Sequence, residues 1–202
     1  MKIIVVGATG TIGRAVVGEL KPRHEIVAVG HRGGEVQVDI TSTDSIRKMY
    51  DRVGAFDALV SATGSVHFGE FMEMTEKEYD IGLRSKLMGQ VNLVLLGRDR
   101  IADGGSFTLT SGILGEDPIR FGSSASMVNG ALEGFVLGAS IEIPRGIRIN
   151  LVSPTVIEEA MPEYGPYFRG FDPVPAAKAA LAYSKSVEGL LTGKVLKVYG
   201  AV

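Results

Sequence analysis

Met1-Lys2-Ile3-Ile4-Val5-Val6-Gly7-Ala8-Thr9-Gly10-Thr11-Ile12-Gly13 opens the chain: a short apolar run, a turn holding three glycines, then helical periodicity. The run reads as a buried parallel strand that delivers the backbone to Gly7, where a tight turn begins. Gly10 lets the backbone approach a pyrophosphate that a side chain would exclude, and Gly13 lets the next helix lie close to the strand. That helix, apolar at Ile12, Val16, Val17 and Leu20, points its unsatisfied N–H groups at the same spot, which favours an anionic phosphate. A purely structural turn is the alternative. The strand before, the helix after and the position at the N-terminus agree instead on a dinucleotide cradle built from Gly7, Thr9, Gly10, Thr11, Ile12 and Gly13.

Outward from this stretch, apolar runs alternate with helical segments. Strands are expected at Lys2–Val6, Glu25–Val29, Val36–Val38, Ala58–Ser61, Ser106–Thr110, Ile147–Val152 and Lys194–Tyr199, most of them apolar on both faces. Strands of that kind belong to a parallel sheet covered by helices on both sides, a doubly wound α/β fold of three layers. Helices are expected at Thr11–Leu20, Thr43–Arg52, Thr75–Gly97, Gly122–Ile143 and Pro173–Leu191. Asp44 and Ser45 are candidate caps of the second, and Thr75 with Glu78 makes a capping-box pattern at the third.

The 202 residues, 45% apolar and 22% charged, suit one domain spanning residues 1–202 with a full core. A formal charge of −2, with no cluster of Lys and Arg, gives no field for nucleic acid. There is no cysteine, which excludes disulfides and thiolate metal sites. The first apolar run is too short for a signal peptide or a membrane span, so no membrane partner is expected and the compartment is read as cytoplasmic. No metal motif is present and no metal ligands are assigned.

The segment Gly122–Ile143 carries one ionisable side chain, Glu133, before its last turn. A helix so poor in charge lacks a solvent face and must be covered on both sides. A symmetric partner helix or the chain's own loops would do this. With Leu83, Leu87, Val91 and Val94 of the preceding helix, the first choice predicts a homodimer, or a tetramer, built through a four-helix bundle.

Taken together, Gly7-Ala8-Thr9-Gly10-Thr11-Ile12-Gly13, Ser61-Ala62-Thr63-Gly64, Thr110-Ser111, Ala131-Leu132-Glu133-Gly134-Phe135 and Ile147-Arg148-Ile149-Asn150-Leu151-Val152-Ser153-Pro154 resemble the short-chain dehydrogenase/reductase family, in order and over nearly the whole chain. The resemblance implies a Rossmann-like sheet of order 3-2-1-4-5-6-7 with a dinucleotide across the C-terminal ends of its strands. It also implies cofactor contacts from Ser61, Ala62, Thr63, Gly64, Pro154 and Ile157, and from Asp39-Ile40 at the adenine. Val29-Gly30-His31-Arg32 ends the second strand with no acid until Glu35. Arg32, with His31 as a second donor, then points to NADP(H) ahead of NAD(H).

At the reaction centre the family pattern breaks. Ser111 stands at the position of the family's substrate-orienting serine. The register of Ala131–Phe135 puts Ala125 where the family has its proton-exchanging tyrosine and Asn129 where it has a lysine, and no tyrosine occurs between Tyr79 and Tyr164. Lys86 aligns with a family asparagine and is either a solvated surface lysine or a cation moved toward the site. Glu159, in place of a threonine, would repel a phosphate if turned inward. His67, Tyr164 and Tyr167 are further proton carriers, or plain loop and packing residues. The expectation is an NADP(H)-binding dehydrogenase/reductase acting on an unknown small molecule. Ser111 and Lys86 are its catalytic candidates, and its carbonyl/alcohol chemistry is impaired. The alternative is a silent NADP(H) sensor or scaffold acting through partners.

Overall fold

The computed structural model describes residues 1–200. Seven parallel strands form one sheet: β1 Lys2–Val6, β2 Glu25–Gly30, β3 Val36–Gln37, β4 Phe56–Ser61, β5 Ile101–Thr110, β6 Arg148–Pro154 and β7 Val195–Val198. Their order is β3-β2-β1-β4-β5-β6-β7, as the sequence implies. The helices are α1 Thr11–Leu20, α2 Thr43–Val53, α3 Glu76–Gly82, α4 Met88–Gly97, α5 Ser123–Glu142, the short α6 Met161–Tyr164 and α7 Ala176–Glu188. In β1 the side chains alternate between two cores. Ile3 and Val5 pack with α1 and α7 residues such as Val16, Leu20, Ala179 and Tyr183. Ile4 and Val6 share the other core with Ile46, Met49, Leu93, Val94, Val128 and Leu132 of α2, α4 and α5. Both faces are thus buried, and every strand can be apolar throughout.

Four expectations need correction. β5 begins at Ile101, five residues early, with its register against β4 shifting near Phe56 and Ala58. Gly104-Gly105 in its first half has the composition of a turn and hides the strand. The predicted helix Thr75–Gly97 is interrupted by a π-helical turn, Leu83–Leu87, between α3 and α4. The cap of α2 is Ser42, whose hydroxyl accepts from the Ser45 N–H at 3.3 Å, whereas the Ser45 hydroxyl accepts from the Asp39 N–H. Finally, Val94 belongs to the sheet-side core with Leu87 packed against it, and Val91 is buried too, because the fold of this chain already covers that side of α4. The residues that α4 leaves exposed are Met88 and Leu95. At the start of α3, Glu78 accepts from the Thr75 N–H at 2.9 Å, as predicted.

Among the described residues, no loop covers the outer face of α5. Met127, Leu137 and Ile141 are exposed, and at Gly130, Gly134 and Gly138 an added Cβ would meet no atom within 4 Å. No helix among the described residues is long and apolar enough to cross a membrane.

Candidate active site

The strand-to-helix turn after β1 is held by its backbone. The Gly7 and Ala8 N–H groups both donate to Val29 O, at 2.9 and 3.0 Å, and Gly10 N–H donates to Gly7 O. Gly13 is the close-packed position: a Cβ there would stand 1.9 Å from Gly7 O. α1, which begins with Thr11 and Ile12, has no side-chain cap and no acid in its first turn. Its free N–H groups therefore remain available to an anion. The Arg14 guanidinium reaches back to Thr9 O across the turn. Sequence reading missed this cation, although its place directly after the third glycine was the available signal.

Beside the turn lies a cavity of about 270 Å³ bordered by Gly7, His31, Asp39, Ile40, Thr63 and Gly64, among others. The predicted adenine-side residues thus come together with the turn. Asp39 accepts from the Thr41 N–H and hydroxyl at 2.9 and 2.7 Å, and these bonds hold its carboxyl below the usual carboxylate range. Ser61 ends β4 fully buried, and Ala62 N–H donates to Val6 O. Arg32 is exposed on the β2–β3 turn next to His31, and the Thr9 side chain packs under the same turn, beside Gly30 and Gly33. Pro154 ends β6. Ile157 is buried and bridges to Val174.

Ser111 and Lys86 meet at the end of β5. The Ser111 hydroxyl is buried without a partner, while its carbonyl accepts from Lys86 Nζ at 3.1 Å. Lys86 is therefore not a solvated surface lysine. It lies in the π-helical turn, and burial pulls its amine down to about 8. Gly64 makes room for it, with φ of +122° and a Cα face so close to Lys86 that a Cβ would come within 2.6 Å of the Lys86 Cα. Gln90, fully buried, clamps α4 to β5 by donating to Thr110 O at 2.8 Å and accepting from Thr110 N–H at 2.9 Å. It also donates to Lys86 O. This positioning residue was missed as well, since an isolated glutamine on an apolar helix carries no signal.

Ala125 and Asn129 are both buried on α5. Asn129 Nδ2 donates to Gly112 O at 3.2 Å, whereas its Oδ1 has no partner. Ala125 packs in a small apolar cluster with Leu114, Val156 and Phe168. Glu159 does not face a phosphate: its carboxylate caps the N-terminus of α7, accepting from Ala176 N–H at 3.1 Å. His67 is half-buried with Nε2 turned onto Gly69. Tyr164 packs against the cluster that contains Ala125, and burial, then the nearby Glu163, pushes its phenol up. Tyr167 lies further out, edge-on to Phe121. Among the described residues no group of His, Cys, Asp and Glu is placed to hold a metal ion.

Comparison with known proteins agrees with this architecture. The family model described as Enoyl-(Acyl carrier protein) reductase matches residues 13–188. The crystal structure of the protein lin1944 from Listeria innocua is 54% identical, covers 98% of this chain and all of that one, and superposes with a TM-score of 0.97. A small-chain dehydrogenase in complex with NADPH is 23% identical and shares the fold with a TM-score of 0.89, covering 98% of this chain and 96% of its own. The uncharacterized oxidoreductase Mb1385 of Mycobacterium bovis is 26% identical over 93% of this chain and 85% of its own length. With the family model matched over most of its length and the strand order in place, the chain belongs to the short-chain dehydrogenase/reductase family.

Proposed function

We propose that this protein binds a nicotinamide dinucleotide, NADP(H) in preference to NAD(H), and that ordinary carbonyl/alcohol chemistry at its centre is impaired. The observation that carries the binding half is the uncapped N-terminus of α1 over the Gly7–Gly13 turn. A phosphate would supply the missing acceptor. The residues present fit the group: the glycine turn for the pyrophosphate, Asp39 and Ile40 for the adenosine end, Arg32 and His31 for a 2′-phosphate. Ser61, Ala62, Thr63, Gly64, Pro154 and Ile157 border the rest. When bound, such a cofactor supplies or accepts a hydride. NADPH complexes of family members, including one of BdcA, extend the same reading.

The catalytic half rests on Ser111 and Lys86. The free Ser111 hydroxyl can donate to a substrate oxygen, and Lys86 fixes the Ser111 backbone while holding an exchangeable proton near neutral pH. Ala125 has no proton to give. Asn129 carries no charge with which to tune a neighbour. A second reading, a cofactor-sensing protein that works through assembly, is favoured by the uncovered apolar face of α5. On either reading that face is the contact of a homodimer or a larger symmetric assembly.

Titration calorimetry with NADPH and NADH tests the cradle. The phosphate contact is worth about 1.5 to 3 kcal/mol, so NADPH should bind roughly tenfold to a hundredfold more tightly, and Arg32→Ala should remove most of the difference. Equal affinities, or tighter NADH, would overturn the preference.

A further inference from the structure

Beside the candidate centre, three segments line a groove of about 470 Å³ whose walls are the rings of Phe68, Phe121, Tyr164 and Tyr167 and whose polar groups include Glu70 and Glu163. The rings stand in pairs, Phe68 with Tyr164 at 6.3 Å and Phe121 with Tyr167 at 6.1 Å between centroids. Among the described residues no lysine or arginine is part of this lining, and Arg120 stands at its edge. Glu70 is paired with Arg120. That guanidinium lies 4.6 Å from the centroid of Phe121, so one of these rings already carries a cation on its face. Tyr164 packs on the cluster that holds Ala125, one helical turn before Asn129. Two of its lining residues, Ile119 and Tyr164, thus pack on the cluster that holds the position where the proton donor is missing.

The charged residues of its lining are Glu70, paired with Arg120, and Glu163. The segments that supply the lining, residues 66–80, 112–122 and 155–175, contain eleven acids and three bases, although Asp80 and Glu116 are paired with Arg84 and Lys197 outside them. Phosphorylated, carboxylated or acidic-carrier-bound substrates are repelled by such a face, whereas a cation is drawn to it. Ring faces attract a cation at short range, and neighbouring carboxylates favour the protonated form of a basic nitrogen.

We propose that the groove takes a planar, cationic nitrogen compound and that the substrate of the site is an iminium ion rather than a ketone or aldehyde. The inference rests on the nicotinamide reading above. A ketone that accepts a hydride becomes an alkoxide and needs a proton from a nearby acid. An iminium ion does not. Hydride from a reduced nicotinamide forms the new C–H bond, the C=N π pair moves onto nitrogen as its positive charge disappears, and the neutral amine is complete without any protein proton. An alanine at position 125, a free hydroxyl at Ser111 and an acidic, aromatic entrance are then mutually consistent.

Calorimetry without cofactor at mildly acid pH compares 3,4-dihydroisoquinoline, protonated on nitrogen, with the neutral ketone 1-tetralone and the anion 1-naphthoate. The cation should bind about tenfold more tightly than the ketone, with naphthoate weakest, and added salt should narrow the gap. The surface variants Glu163→Gln and Tyr167→Ala should each cost the cation severalfold and the ketone little. With NADPH present, the imine should be reduced to the cyclic amine while 1-tetralone is left unchanged. Equal binding of cation and ketone, or preferred binding of naphthoate, would overturn the groove assignment. Binding of both imine and NADPH without turnover would overturn the substrate assignment. Failure of NADPH alone to bind would instead refute the cofactor reading, and the cofactor-free titrations would still judge the groove.

Discussion

Lys86 Nζ donates to the carbonyl of Ser111 at 3.1 Å, tying a buried amine to a residue whose hydroxyl is buried without a partner. The amine is pulled from 10.5 to about 8 by burial. Between those values the unfolded chain binds the proton that the folded protein has released, so stability rises with pH across that window. We expect urea melts of the wild type and Lys86→Met to converge in that direction. The wild type should gain roughly 1 to 3 kcal/mol relative to the variant from pH 8 to 10.5. Parallel pH dependence of the two proteins would contradict the burial of the amine.

Gln90 holds the frame in which that pair sits. Replacement by leucine keeps the volume and leaves the buried N–H and C=O of Thr110 without their glutamine partners. The cost should be about 2 to 4 kcal/mol in chemical denaturation. A loss below about 0.5 kcal/mol would show that the clamp contributes nothing.

Glu188 joins α7 to the end of α1. It accepts from Arg23 Nε at 2.8 Å and His24 Nε2 at 2.7 Å. Arg23 first, then His24, hold its carboxyl at about 2, well below 4.5. A depressed carboxylate contributes stability above 4.5 that is lost as pH falls toward 2. Glu188→Gln should therefore cost up to about 1 kcal/mol near neutrality, and the difference should vanish over that acid window. A pH-independent difference would contradict the ionic origin.

Assembly is testable at Gly134, whose added Cβ points into open space. Gly134→Arg should improve intrinsic helix propensity by nearly 1 kcal/mol while placing charge in the apolar face. Sedimentation at micromolar concentration should show a dimer or larger assembly for the wild type and a monomer for the variant. A wild type that sediments only at 21.4 kDa would refute the assembly.

The glycine turn and the strand order were readable because they are written locally: an apolar run, three glycines, then a helical period. What escaped the sequence depends on partners far along the chain. The π-helical turn at Leu83–Leu87 leaves no mark on hydrophobic periodicity. The burial of Lys86 is imposed by Gly64 and Ser111, each more than twenty residues away. Whether Glu159 turns inward was open in the sequence because its partner, the Ala176 N–H, belongs to a helix that begins seventeen residues later. The aromatic groove draws rings from segments separated by some fifty and forty residues, so no window of sequence contains it. Ser111 directly follows β5, and Ala125 and Asn129 lie one helical turn apart on α5, an arrangement whose register the sequence sets.

The central claim is that a dinucleotide cradle serves a centre unfit for simple carbonyls. NADPH oxidation by the purified wild type, followed across a panel of small ketones and aldehydes, tests it most directly. Loss of a positioned general acid costs about 100-fold to 10,000-fold in rate, so consumption should stay near the background without enzyme. Restoring the pair in Ala125→Tyr with Asn129→Lys should raise it in protein that remains folded. Brisk NADPH consumption by the wild type, abolished by Ser111→Ala, would contradict the account.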